Sequence, residues 1–282
     1  MLIKATPEDI KKYGEFAYSV ALNPKKSCYP TYADGIKTKT DFFKAAERAI
    51  AKETYELLLF GIDGKVEGWI SYYWIPEDRY LQLYEFNINR GTKQALAELL
   101  KTIETKFAGY TAYFGFPGDN QEAIHFLSEH GFQCIEQDWN HSFFFDGYTA
   151  KEHDDCIEKI FRYNFDKFRR VYHEDPDTYW NADRIFETID DWTIFVYNQA
   201  DQPIAAVFLT GKDGYYEIYG SEFADEVFNE SVFRELLTAS LSECKCLDAK
   251  YMTYFCAEDE KSVLGELGFQ CVGQYVLYIK EL

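Results

Sequence analysis

Part of this chain recurs at a fixed distance. Glu98-Leu99-Leu100 returns as Glu235-Leu236-Leu237, and Gly131-Phe132-Gln133-Cys134 returns as Gly268-Phe269-Gln270-Cys271, both at an offset of 137 residues. A third echo sets Tyr84-Glu85-Phe86 against Tyr216-Glu217-Ile218, at an offset of 132. Separate motifs that keep their spacing point to a duplicated domain, because chance matches have no reason to share an offset. A period near 137 residues is too long for a solenoid unit and is the size of an ordinary domain. Two domains are therefore expected in the 282 residues, 1–146 and 147–282, with the boundary in the polar run Asp146-Gly147-Tyr148-Thr149-Ala150.

Each half is long enough to bury a core, and 47% hydrophobic with 18% aromatic residues excludes a disordered chain. No apolar run approaches the ~18 residues of a membrane span. The start, Met1-Leu2-Ile3-Lys4-Ala5-Thr6-Pro7, lacks the apolar stretch of a signal peptide. Seven cysteines, odd in number and irregular in spacing, suit reduced thiols, so a cytoplasmic location is expected. The net charge of −19 disfavours nucleic acid and anionic membranes as partners. That charge is unevenly shared: residues 1–145 carry a net −4 and residues 146–282 a net −15. An anionic ligand would favour the first half.

The spacing predicts a strand at Leu2–Ala5 and a helix from Pro7 to Ala21 started by Thr6. A loop through Asn23-Pro24 and Tyr29-Pro30 follows, then a helix over Asp41–Lys52 and a hairpin, Tyr55–Ile62 with Lys65–Trp74, turning at Asp63-Gly64. Tyr80–Ile88 reads as a strand, and Gln94–Phe107 as an amphipathic helix with Leu96, Leu99, Leu100 and Ile103 on one stripe. A strand at Thr111–Phe116, a helix at Gln121–His130 ended by Gly131 and strand structure over Phe132–Phe145 complete the first half. In the second half, helices are expected at Cys156–Tyr172, Ala182–Ile189, Phe228–Ser242 and Glu258–Leu267. Strands are expected at Thr193–Tyr197, Ile204–Thr210, Tyr215–Gly220, Tyr251–Phe255 and Gly273–Ile279. This order marks a mixed α/β architecture in each half.

Two stretches carry a family resemblance. Asn120-Gln121-Glu122-Ala123-Ile124-His125-Phe126-Leu127 through Gly131-Phe132 is similar to the closing pattern of the GNAT-type acyl-CoA N-acyltransferases. Tyr84-Glu85-Phe86-Asn87-Ile88, followed by Arg90-Gly91-Thr92-Lys93-Gln94-Ala95 and a Leu-rich helix, resembles the family's coenzyme-binding strand, loop and helix. The resemblance implies two tandem GNAT-like domains, each a twisted mixed sheet flanked by helices. It implies an acyl-CoA co-substrate, acetyl-CoA foremost, held in the first domain by Ile88, Arg90, Gly91, Thr92, Lys93, Ala95 and Asn120. The physical logic fits: a pyrophosphate needs backbone N–H groups at a helix N-terminus, where the dipole favours an anion. Asn120 has a second reading as a helix cap. Glu85 stands where related enzymes place a carboxylate that deprotonates the substrate amine, and Glu217 is its counterpart in the repeat.

The sequence also departs from the family pattern. Lys93 replaces a glycine of the loop, so a side chain stands where backbone should approach the phosphates, although its charge could attract them. Leu127, and Leu264 in the repeat, stand where the family commonly has a tyrosine that protonates the departing thiolate; His125, Tyr110 and Tyr113 lie nearby in sequence. Ser221–Asn229 carries Glu222, Asp225 and Glu226 and no glycine, which disfavours a pyrophosphate in the second half. No spacing of His or Cys suggests a metal. The expected function is N-acylation of an amine of a small molecule or a peptide. The rivals are a GNAT-like pseudoenzyme serving as a binding or scaffold protein, and an aminoacyl transferase drawing on tRNA, which the net charge disfavours. A homodimer is left open.

Overall fold

A computed structural model describes residues 1–29, 31–174 and 179–282. Pro30, in the loop expected after the first helix, lies outside the described residues. The chain divides into two compact units, Met1–Gln137 with Gly273–Leu282, and Asp138–Val272.

In the first unit the order is β1 (Leu2–Lys4), α1 (Pro7–Ala21), α2 (Lys39–Ala51), β2 (Tyr55–Ile62), β3 (Lys65–Ile75), β4 (Tyr80–Ile88), α3 (Thr92–Lys106), β5 (Thr111–Pro117), α4 (Gln121–Glu129) and the start of β6 (Gln133–Phe144). Local chemistry sets these boundaries. Thr6 with Asp9, and Thr38 with Asp41, form reciprocal capping boxes that satisfy the first N–H groups of α1 and α2. Asp63 and Gly64 both take positive φ, the geometry of a tight hairpin turn between β2 and β3. One face of the sheet packs Leu57, Leu59 and Trp69 against Phe42 and Ala46 of α2. The other buries Phe86, Ile88 and Phe114 against Leu96, Leu99 and Ile103 of α3. The expected stripe of α3 is thus the buried one.

The second unit continues β6 and adds β7 (Ile157–Lys159), α5 (Asp166–Arg169), α6 (Ala182–Glu187), β8 (Trp192–Gln199), β9 (Gln202–Lys212), β10 (Tyr215–Phe223), α7 (Glu230–Cys246), β11 (Tyr251–Cys256), α8 (Lys261–Leu267) and the first residues of β12 (Gln270–Glu281). The helix expected over Cys156–Tyr172 does not form. Ile157–Lys159 pairs instead with β8, and a short 3₁₀ turn precedes the four-residue α5. The Asn164 side chain explains the break: it accepts from the Phe161 N–H at 2.6 Å and donates to the Lys159 carbonyl at 3.2 Å, taking groups a helix would need.

Strand order in the first unit is β1-β2-β3-β4-β5-β12, and in the second β6-β11-β10-β9-β8-β7. From Tyr275 to Glu281, β12 pairs antiparallel with β5; from Trp139 to Phe144, β6 pairs antiparallel with β11. Each unit therefore includes a strand from the opposite half of the sequence. The compact units cut the chain inside β6 and inside β12, not at the expected boundary of 146 and 147. The expected mixed α/β architecture is the one formed. No helix among the described residues is long and apolar enough to cross a membrane.

Candidate functional site

In the first unit β4 and β5 run parallel, and their ladder covers only Tyr80↔Thr111, Leu81↔Ala112 and Gln82↔Tyr113. Beyond it β4 continues to Ile88 and β5 to Pro117, so the two strands form a fork. A β-bulge marks its base. Tyr72 of β3 faces Leu83 and Ser71 faces Glu85, which leaves Tyr84 as the extra residue and bends β4. Alternation then sends Phe86 and Ile88 into the α3 core, while Glu85 and Asn87 share the opposite face with Trp69.

Glu85 is buried. Its carboxyl accepts from Trp69 Nε1 at 2.9 Å, Ser71 Oγ at 3.1 Å and the Tyr32 hydroxyl at 3.3 Å. Burial pushes its pKa up to about 7, against the opposing pull of those three donors. Two residues on, Asn87 is 3% exposed and its Nδ2 has no hydrogen-bond partner. An unsatisfied buried donor costs about 1–3 kcal/mol, so a ligand that supplied an acceptor there would recover it.

Gly91 is the N-cap of α3 with φ +80°, and a Cβ on it would stand 2.7 Å from Ile62 Cδ1. The positive φ is what favours glycine here, and the cap leaves the first N–H groups of a fifteen-residue helix at the tip of β4. Thr92 and Ala95 are buried in that first turn, and Lys93 is exposed on it. Arg90 is drawn aside: its Nε lies 3.0 Å from Glu67 and its guanidinium 3.8 Å from Asp63. Asn120 caps α4, its Oδ1 accepting from the Ala123 N–H at 3.3 Å.

The fork is filled by the chain itself. Between α1 and α2, the Ile88 N–H of β4 donates to the Lys26 carbonyl at 2.9 Å, and the Tyr29 N–H donates to the Gly115 carbonyl of β5 at 3.0 Å. Asn120 Nδ2 donates to the Ser27 carbonyl at 3.0 Å, and Lys26 Nζ donates to Asn89 Oδ1 at 2.9 Å. Cys28 is buried in the same core as Phe86 and Phe116. Ile88 and Asn120, two of the expected coenzyme ligands, are thus engaged by Lys26–Tyr29, while Gly91–Ala95 form the helix start beside them. Leu127 is fully buried in that core, His125 pairs with Glu129 at 3.2 Å and Tyr113 stacks on Tyr80. Sequence reasoning missed this strap and Tyr32. The available signal was a seventeen-residue link between two capped helices, long for a helix–helix connection.

The second unit repeats the fork with a different content. The β10–β11 ladder runs from Tyr215↔Tyr251 to Ile218↔Tyr254, and a bulge leaves Tyr219 as the extra residue, with Gly220 facing Phe208. The residue after the bulge, the position of Glu85, is therefore Gly220 and not Glu217. Glu217 sits inside the ladder opposite Thr253, half-buried, accepting from the Tyr215 hydroxyl at 3.4 Å. The echo at offset 132 is out of register because the bulges lie 135 residues apart. Here a cavity of about 570 Å³ opens, lined among others by Ser221, Glu222, Phe223, Phe228, Tyr254 and Glu260. Glu260 accepts from the Tyr254 hydroxyl at 2.8 Å, the Ala257 N–H at 2.9 Å and Ser221 Oγ, and burial raises its pKa. His173 Nδ1 lies 2.9 Å from Glu222, whose pKa burial also raises. Asn229 caps α7 through the Val232 N–H.

Similarity to solved structures spans the whole chain. A GCN5-related N-acetyltransferase from Sphaerobacter thermophilus aligns over 100% of this chain and 95% of its own, with TM-score 0.66 and 14% identity. A tandem GNAT protein of the clavulanic acid biosynthesis pathway, solved without acetyl-CoA, aligns over 100% and 98%, at 0.55 and 11%. The glucosamine N-acetyltransferase region of a fungal multi-domain β-N-acetylglucosaminidase aligns over 99% of this chain and 38% of that protein, at 0.60 and 10%. At these identities the likeness is one of fold: the chain has the tandem GNAT fold. No protein-family model matches the sequence, and no curated protein matches it significantly.

Proposed function

We propose that this chain is an acyl-CoA-dependent N-acyltransferase, with acetyl-CoA as the expected donor and an amine of a small molecule or peptide as acceptor. Because one fold hosts many activities, the reading has to rest on the site. The observation that carries it is Glu85, a buried carboxyl at the base of a strand fork with its pKa at about 7. A base poised near neutral pH suits the removal of a proton from an amine. The fork's two strand edges would hold the amide groups of an extended acyl-CoA arm, and the N–H groups of the α3 first turn would receive its pyrophosphate. The amine nitrogen attacks the thioester carbonyl and passes a proton to Glu85. The carbon–sulfur bond breaks, an amide forms, and coenzyme A leaves as a thiolate that water protonates.

A binding protein without chemistry is the second reading, favoured by Leu127 in the core and by Lys26–Tyr29 in the fork. Thiol release from acetyl-CoA, measured against a panel of primary amines that includes glucosamine, separates the two. Transfer is expected to rise with pH through about 7, as Glu85 ionises. A chain that binds acetyl-CoA and releases no thiol with any amine is a binding protein.

A further inference from the structure

We propose that Lys26–Tyr29, together with Tyr32, is a built-in plug of the first unit's fork, and that acyl-CoA enters only when this strap withdraws. The inference rests on the acyltransferase reading. The strap uses the groups a ligand would use. Its Lys26 carbonyl takes the Ile88 N–H on one prong, and its Tyr29 N–H reaches the Gly115 carbonyl on the other. An amide-bearing chain laid along the fork needs the same two backbone partners, and two occupants cannot share them.

Two backbone bonds, one side-chain amide from Asn120 and one lysine–asparagine contact tie the strap to the fork, with Cys28 buried in the core and the Tyr29 ring edge-on against Tyr275 at 4.8 Å. The closed site leaves the Asn87 donor unsatisfied, a deficit that an incoming acceptor removes. The seventeen-residue link between α1 and α2 supplies the slack for movement. Tyr32 belongs to the same link and donates to Glu85, packing edge-on against Phe42 at 5.3 Å. One displacement therefore frees the coenzyme slot and uncovers the base. Until it occurs, the apparent coenzyme affinity is lowered by the fraction of molecules that are open.

Cys28 makes the motion measurable, because it is 2% exposed in the closed form whereas Cys134, Cys156, Cys246 and Cys271 are exposed. In the native chain, alkylation of Cys28 by iodoacetamide, followed by peptide mass spectrometry, should be slow and should accelerate about tenfold or more under saturating coenzyme A. Cys28→Asp places a carboxylate that the fork cannot retain, so the strap leaves and the dissociation constant for coenzyme A should fall about tenfold or more. Cys134→Asp, at an exposed site, should leave it unchanged. If coenzyme A binds while Cys28 stays protected and Cys28→Asp shifts nothing, the plug is refuted and the acyltransferase reading stands. Tighter binding by Cys28→Asp with no acyl transfer to any amine supports the plug and removes the reading. Binding by neither chain overturns both.

Discussion

The two forks share one architecture and hold opposite contents. In the first unit the space between β4 and β5 is taken by the protein's own backbone, and the buried carboxyl beside it comes from the strand after the bulge, Glu85. In the second unit the space between β10 and β11 is an open cavity, Gly220 stands after the bulge, and the buried carboxyl is Glu260 at the start of α8. A Cβ on Gly220 would lie 2.8 Å from the Phe208 ring, so a side chain there requires that ring to shift. Duplication preserved the strand geometry and the bulge that opens each fork, while the chemistry moved to different elements. A fork is thus a scaffold feature, and what enters it is decided by loops and rim charges. The rim of the second, with Glu222, Glu226 and Asp259, disfavours a pyrophosphate.

The sharpest way to break this contrast is to neutralise each acid in turn. Glu85→Gln should lower kcat by ~10²–10⁴ with coenzyme affinity nearly unchanged, whereas Glu260→Gln should leave kcat within about twofold. Steady-state rates and calorimetry on both variants check this, and the opposite ranking would move the chemistry to the second unit. Next in size is a pH effect on stability. Glu85 has a folded pKa of about 7 against an ordinary 4.5, so between those values the native state holds the proton more tightly than the unfolded chain. Its contribution is present below pH 4.5 and is lost as pH rises through 7, a change of about 3 kcal/mol. Denaturant titration at pH 5 and pH 8 should show that decline in the native protein and a smaller one in Glu85→Gln.

The helix starts supply the smaller tests. Gly91→Ala must hold φ +80°, so it should cost about 1–2 kcal/mol in chemical denaturation. Asn229→Gly, at the N-cap of α7, should cost only a few tenths of a kcal/mol. Smallest of all, Lys93→Ala should change stability by less than about 0.5 kcal/mol. It should weaken coenzyme A binding modestly, and the loss should shrink as salt rises, because an exposed charge is screened.

The legible parts were those written in local pattern. The capping residue Thr6, the Asp63-Gly64 turn and the apolar stripe of α3 each depend on neighbours a few residues away, and the elements formed where they pointed. The helix expected over Cys156–Tyr172 failed because the Asn164 side chain outcompeted the backbone for its own hydrogen bonds. The pairing of Glu85 with Glu217 failed because a bulge shifts register without leaving a mark in composition. The partners of Glu85 come from Tyr32, Trp69 and Ser71, and only the fold brings these together. The strap was the least visible, since Lys26-Ser27-Cys28-Tyr29 has no pattern apart from the two strands it bridges.

The crossed membership of β6 and β12 has a consequence for biosynthesis. When β5 emerges from the ribosome, the strand that pairs with it, β12, lies more than 150 residues downstream. At ~5–20 residues per second, the first unit waits on the order of ten seconds with one sheet edge unpaired. Such an edge is a template for wrong partners, so this interval is when the nascent chain is most exposed to misassembly. A ribosome that stalls beyond α4 would release a first unit with its helices formed and its sheet unfinished.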